Sequence, residues 1–433
     1  MAAISLPARR ADIVAEVDVC VAGAGPAGLG AALAAARQGA TVCLLERHGF
    51  MGGNFTAASV GTVCGLYVKE DSGFEYVVRG IAEEMVEALT SNGQAMGPVP
   101  FQESAVLLYL PWAAKRLFDH AVSSEERITL FLHALVSEVI VEGDRIEAVV
   151  VASKRGPVAV RAASFVDATG DADLVAFSGG EWVMGEAGRR QHASMQFVLQ
   201  HAAGDVAMAR GIPALSGLIA ERGGSLTRDG GALIPTFRPG EFIGAMTRVT
   251  NPDGSPLDIT DLTQATWGEL RGRELAEEAA RFVIDNVPGF EGAFLADTAP
   301  NLGIRESRRV VGKYVLTGDD VRGAARFDDS IGAGAWPLEY HVVGRSTQYV
   351  HLPPGEYYQV PFRSIVPEGP VNLLVAGRCL SADPDALASI RVMAPSMAIG
   401  QAAGTWAAMS TRDPGVTPAD LQQSLRDQGA FLG

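Results

Sequence analysis

Residues 21–30 read "VAGAGPAGLG", Val21 to Gly30, and the fold turns on whether these glycines cradle a phosphate or only allow close packing. Upstream, "VDVCVAG" (Val17 to Gly23) is an apolar, β-branched run of strand length. Downstream, "PAGLGAALAAARQGA" is helix-forming, with Pro26 tolerated in the first turn and Gly39 placed to end it. The glycines therefore sit at a strand-to-helix turn. There Gly23 makes the tight turn, Gly25 lets the backbone approach a pyrophosphate, and Gly28 lets the helix press onto the strand; the helix N-terminus, opening at Pro26 and Ala27, adds amides and a partial positive charge. A Gly/Ala-rich packing helix would share the composition but not the companion feature. That feature is a second apolar strand, "TVCLLE", ending in Glu46, close to the ~20-residue spacing at which a carboxylate accepts the hydroxyls of an adenosine ribose.

The whole chain agrees with a cofactor-binding protein of two domains. Its 433 residues are 48% hydrophobic, enough for a large core, and its 50 glycines exceed the roughly 7% average usage. A formal net charge of −15 without a dense Lys/Arg run opposes binding to a phosphate backbone, so nucleic acid is not an expected partner. No apolar stretch reaches ~18 residues and the N-terminus lacks a signal-peptide pattern, so no membrane insertion is expected and the chain reads as cytoplasmic. Cys20, Cys43, Cys64 and Cys379 form no CxxC or His-interleaved set, so neither a disulfide framework nor a metal site is expected. Cys20 and Cys43 read as strand core. Cys64 and Cys379 each follow a glycine motif, which raises the question of a redox role beside a cofactor.

Along the chain, "RHGFMGGNFT" supplies a second glycine pair, Gly52 and Gly53, followed by Asn54. A helical region then extends to about residue 125. From about 127 the pattern turns to strands, "ITLFLHALV", "SEVIVEG", "RIEAVVVAS" and "VAVRAASFVDATG", read as a β-meander. Residues 181–364 mix polar loops with a charged helix near "WGELRGRELAEEAARFVIDNV". The chain then returns to dinucleotide character with the strand "VNLLVAG" and a long small-residue helix. A simple nicotinamide domain has no need of this late return. A flavin dinucleotide is longer, with its pyrophosphate on the first loop, its adenosine on Glu46 and the meander near Val136, and its ribitol on a late segment such as Gly377-Arg378.

With those segments in view, the chain resembles the FAD-dependent oxidoreductases of glutathione-reductase type, in the branch related to fumarate reductase flavoprotein subunits. The resemblance rests on "GAGPAGLGAALAAARQGATVCLLERHGFMGGNFT", "DATGDADLVAFSGG", "GIRESRRVVGKYVLTGDDV", "YYQVPFRSIVP" and "LLVAGRCLSADPDALASIRVMAPSMAIGQAAG". It implies an α/β fold, a Rossmann-like FAD-binding domain with a β-meander plus an inserted mixed α+β substrate domain. The implied division is 1–65, 126–180 and 365–433 for FAD binding, 66–125 on the substrate side and 181–364 as the substrate domain. Non-covalent FAD would meet Gly23, Gly25, Pro26, Ala27, Gly28, Glu46, Arg47, Gly52, Gly53, Asn54, Val136, Thr169, Gly170, Gly377, Arg378, Val392 and Met393. Pro395 in a first helical turn would leave the amides near Val392 and Met393 facing the flavin edge that gains negative charge on reduction. Where relatives often carry a His after the late glycine, this chain has "SADPDA", so no role for that His carries over.

The flavin does the hydride chemistry, and the protein supplies binding, orientation and charge. Candidates for an acid/base group or an orienting charge are His341 in "WPLEYH", His351, Tyr358, Arg305 and Arg308 in "IRESRR", Arg363 and Arg391. His341 is the expected proton handler, because the unperturbed pKa of histidine suits that role near neutral pH. The expected function is a dehydrogenase or oxidase taking hydride from a small amine, alcohol or C–C substrate. Oxygen, a quinone or a redox protein would be the external acceptor, and the chain would be a monomer or homodimer. The alternative is a flavin reductase or monooxygenase reduced by an external electron donor; "IGAGAWPLEY" has glycines but no helix-forming continuation for a nicotinamide site.

Overall fold

Strand Asp12–Ala22 is exposed at its start and fully buried over its last four residues, and the sheet grows on both sides of that buried end. The computed structural model describes residues 4, 9–186, 189–203, 211–224, 226–341 and 347–433. On one side lie Val42–Leu45 and then Ile128–Phe131, all parallel. On the other lies Gly156–Asp167, parallel to the first strand from Asp12↔Val158 to Ala22↔Asp167. This 12-residue strand serves two partners. Its first half pairs antiparallel with Arg145–Ser153, which pairs in turn with Leu135–Glu142. Its last three residues pair with the return strand Leu373–Val375. The inner parallel strands are buried on both faces toward their C-terminal ends, and those ends, at Ala22, Leu45, Asp167 and Val375, open on one edge where an α/β sheet binds ligands.

Two helices lie against this sheet with their backbones in contact. A Cβ on Gly400 would sit 1.9 Å from Ala27 O, and one on Gly404 would sit 2.0 Å from Ala31 O, so only glycine allows the closing helix Met393–Arg412 to meet the first helix Pro26–Arg37. The register runs the same way in both helices. With Ala27 opposite Gly400, the closing helix begins about 9 Å beyond the start of the first. One sheet edge thus carries two helix N-termini about two turns apart.

A second core, including Phe197, Phe242, Leu275, Val283 and Phe290, lies under the four-stranded sheet of Ala232–Pro235, Phe242–Ala245, Phe197–Gln200 and Phe294–Thr298. The charged helix Leu262–Asn286 packs on it, capped by the Asp261 carboxylate, which accepts from the amides of Thr263 and Gln264.

Two sequence expectations change. The stretch "ITLFLHALV" is two elements, because His133 takes φ 55° and turns the chain between Ile128–Phe131 and Leu135–Glu142; the first joins the parallel edge and only the second joins the meander. Residues 66–125 hold helices Ile81–Ser91 and Pro111–Ser123, but also the hairpins Tyr67–Glu70/Gly73–Tyr76 and Ala95–Phe101/Ser104–Tyr109. Ser104–Tyr109 is buried on both faces, so it shows a continuous apolar run with no strand alternation to separate it from a buried helix.

Candidate cofactor crevice and active site

The crevice at the sheet edge is lined, among others, by Gly23, Gly25, Pro26, Ala27, Glu46, Arg47, Gly53, Asn54, Val136, Thr169, Gly170, Gly377, Arg378 and Met393. Fourteen positions foreseen from the sequence thus meet around one space. Gly28, Gly52 and Val392 do not line it, and at the two glycines the protein's own packing already excludes a side chain. A Cβ on Gly28 would fall 1.7 Å from Gly23 O, and one on Gly52, whose φ is +113°, would fall 2.6 Å from the Thr56 side chain. Val392 is buried and caps the closing helix. His48, Asp173, Asn301, Leu302, Ile304 and Ser396 also line the crevice and were missed, since no local pattern distinguishes them.

Gly25 provides the test of fit for a dinucleotide. A Cβ there would meet nothing nearer than Gly53 Cα at 3.8 Å, so the protein's own packing does not require a glycine. What the missing side chain keeps open is the crevice in front of the first helix. At the ribose position, Glu46 is buried and anchored, its Oε2 accepting from the Ala24 amide (3.0 Å) and its Oε1 from the His48 amide (2.8 Å). Burial pushes its pKa up against those bonds. Behind the late glycine, Arg378 donates to Asp171 Oδ1 (2.7 Å) and Ser307 Oγ (2.5 Å). Burial opposes ionisation of Asp171, yet Arg378 and Arg47 hold its pKa below the usual value.

The far end of the crevice is polar. The closing helix starts at Met393 with no side-chain cap, so its first amides are free for a ligand. Next to it stands Arg391, which also lines the crevice and approaches Glu339 (Nη2 to Oε2, 3.7 Å). Glu339 accepts from the Trp336 indole (3.1 Å), the Tyr349 hydroxyl (3.2 Å) and His341 Nε2 (2.9 Å). Although burial works against it, His341, Arg391 and Arg305 hold the Glu339 pKa far below the carboxylate range. The other ring nitrogen of His341 faces Arg248 Nη2 (3.4 Å) and Thr347 Oγ1 (3.3 Å). A guanidinium only donates, so His341 Nδ1 accepts and the proton resides on Nε2, facing Glu339. Burial, then Arg305, push the His341 pKa well down. His341 is thus a neutral, fully engaged imidazole.

These facts sort the catalytic candidates. Arg391, Arg305 and His341, the expected proton handler, come together; His341 is 3% exposed, stands behind Glu339 and does not line the crevice. Arg308 turns to the cofactor side, donating to Asp171 O (2.7 Å) and pairing with Asp173. Arg363 is a half-exposed surface residue paired with Asp329 (2.9 Å). His351 bonds Gln102 (2.8 Å) at an exposed position, and Tyr358 is buried in the core against Ser389 Oγ (2.8 Å). None of these last three lines the crevice. Cys64 and Cys379 are free thiols in separate surroundings: Cys64 lies near Thr62, Glu339 and Arg391, Cys379 against the Asp167 and Ala376 carbonyls. Burial pushes Cys64 up to about 12 and Cys379 higher still, and a thiolate role is not favoured at either. Glu339, Arg248, Arg228 and Tyr349 were missed, although Glu339 and His341, two apart beside strand Leu338–Tyr340, carried a readable same-face signal.

Residues 18–427 match the FAD dependent oxidoreductase family, and the chain belongs to it. It is an oxidoreductase whose cofactor is FAD. Over 164 residues it is 32% identical to a thiamine thiazole synthase of Aeropyrum pernix, a match covering 35% of this chain and 54% of that one. The chain thus spans about half the length of that curated relative. Among solved structures, BexE, studied for oxidation during BE-7585A biosynthesis, shares 14% identity over 95% of this chain and 66% of its own, with a TM-score of 0.50. A geranylgeranyl bacteriochlorophyll reductase-like protein of Thermoplasma acidophilum shares 13% identity over 95% of this chain and 83% of its own, with a TM-score of 0.49. Among the described residues no helix is long and apolar enough to cross a membrane.

Proposed function

We propose that the protein is a dehydrogenase or oxidase of a small organic substrate, bound at the polar end of the crevice. FAD, when bound, accepts the hydride and later passes electrons to an external acceptor. The observation that carries this reading is one crevice lined from Gly25 and Glu46 to Arg378, Met393 and Arg391, which brings together positions expected to meet a flavin dinucleotide and includes one arginine of the charged cluster. The fourteen lining positions foreseen from the sequence would hold it through non-covalent contacts. The uncapped amides at Met393 offer donors where negative charge grows on reduction, which favours electron acceptance. Arg391 orients the substrate. Glu339 and His341 are positioning residues: the imidazole fixes the carboxylate, and the carboxylate fixes the guanidinium.

Anaerobic mixing of the FAD-loaded protein with a panel of small amines, alcohols and carboxylic acids tests this. The yellow absorbance should bleach with at least one donor and return on adding oxygen or a quinone. If no organic donor bleaches it while a reduced nicotinamide does, the enzyme draws its electrons from outside and the dehydrogenase reading is wrong.

A further inference from the structure

We infer that the substrate of this site is a small organic carboxylate, its anionic group held between Arg391 and Arg305 and its hydrocarbon part toward Ile304 and Met393. The inference rests on the oxidoreductase reading above and names its substrate class.

The first support is the charge inventory. Arg305 and Arg391 both feel Glu339, and Arg391 also presses on Arg305. Glu306 also acts on Arg391, but it is already held by the Gln191 amide (2.8 Å) and Arg309 (3.6 Å). Arginine does not shed its proton in proteins, and buried charge without a counter-charge is costly. A ligand anion meets that deficit.

The second support is the way the two guanidiniums are used. Arg391 has a side chain only 10% exposed, yet it lines the crevice. Its Nη2 makes long contacts, 3.5 Å to Glu339 O and 3.7 Å to Glu339 Oε2, and among the described residues its Nε has no hydrogen-bond partner. Arg305 follows Ile304 of the crevice wall and spends Nη1 on His192 O and Ser194 Oγ, both at 2.8 Å. Among the described residues its Nε and Nη2 carry no hydrogen bond. Two planar forks with unspent donors suit the two oxygens of a carboxylate. The apolar walls from Ile304 and Met393 suit a carbon skeleton more than an inorganic ion.

The test uses FAD-loaded protein and probes that need not react: acetate and benzoate, each against its uncharged amide, acetamide or benzamide. Binding is read from the perturbation of the flavin visible spectrum. At least one carboxylate should bind saturably and at least tenfold more tightly than its amide, and rising chloride should weaken it. Arg305→Gln and Arg391→Gln should each weaken carboxylate binding roughly tenfold to a hundredfold, the usual worth of a hydrogen bond to a charged group, with FAD content unchanged. Should Arg391→Gln lose FAD, Arg305→Gln and the chloride competition in the unaltered protein still decide. Equal binding of amide and carboxylate, no binding of either carboxylate, or an unchanged affinity in Arg305→Gln overturns the inference. Carboxylate binding with no donor able to bleach the flavin would instead overturn the dehydrogenase reading and leave this one standing.

Discussion

At Gly25 folding and binding separate, because the backbone there is extended (φ −72°, ψ −174°) and a Cβ has room. Gly25→Val should leave the melting temperature of the apoprotein almost unchanged while cutting its FAD content below about a tenth, since the valine occupies the pyrophosphate's place. A holoprotein with full flavin would remove the loop from the binding site. Gly28→Ala is the contrast, because its Cβ would lie 1.7 Å from Gly23 O and the apoprotein itself should be destabilised. His341 poses a different question. As a positioning residue behind Glu339, His341→Asn should raise KM about tenfold with little change in kcat and in the pH profile, and His341→Gln should restore part of the loss. A direct base would instead cost roughly 10²–10⁴ in kcat and remove a limb of the profile. The glycines and Glu46 were legible in the sequence because each states a local backbone need next to a strand end. Arg248 and Arg228 were not, because their meaning depends on His341 and Thr347, about a hundred residues away, which only the tertiary fold brings close; Glu339, two residues from His341, could have been read from that spacing.

Among the elements, the closing helix controls both ends of the site. Its glycines let it lie on the first helix, and that contact fixes how far its N-terminus projects past the pyrophosphate loop. Gly400→Ala places a methyl 1.9 Å from Ala27 O, so the helices must part; overpacking of this kind costs about 1–3 kcal/mol or more. Chemical denaturation should show that loss together with weakened FAD binding, because the separation moves both N-termini. Gly217→Ala is the control: it lies in helix Gly211–Arg222 with nothing within 4 Å of a Cβ and should stabilise by up to about 1 kcal/mol. Loss of equal size in both variants would mean that the helix contact is not what Gly400 serves. The strand-helix-strand start and the late return were legible because parallel buried strands appear as unbroken apolar runs beside glycine turns. The hairpins of residues 66–125 were hidden by the same property, since a run such as "SAVLLY" has lost the alternation that would mark it as a strand.

On the scale of the whole molecule, an acidic chain of net charge −15 surrounds a site crowded with arginine, and a pH experiment can measure that inversion. His192 is buried beside the cluster, and among the described residues its Nδ1 has no hydrogen-bond partner. Burial, then Arg248, Arg305 and Arg190, lower its pKa to about 4. An unfolded histidine titrates near 6.5, so between pH 6.5 and 4 the unfolded chain takes up a proton that the folded one refuses. Folding stability therefore falls as the pH drops through that window and is unaffected by His192 above it. His48, also lowered to about 4, acts in the same sense. Asp173, raised to about 7 by burial and then by Asp167 and Asp171, acts in the opposite one, so the unaltered protein shows only a difference. His192→Gln isolates one contribution: the variant should gain on the unaltered protein by on the order of 3 kcal/mol between pH 6.5 and 4, with a constant gap above pH 7. Thermal or denaturant unfolding across that range reads it directly, and a gap that does not move with pH would mean the cluster does not hold His192 neutral. Repeating the series with saturating carboxylate joins this scale to the site. An anion between Arg391 and Arg305 cancels part of the charge that depresses His192, so its pKa should rise and the pH-dependent gap should shrink, whereas an anion bound elsewhere on the chain would leave the gap as it was.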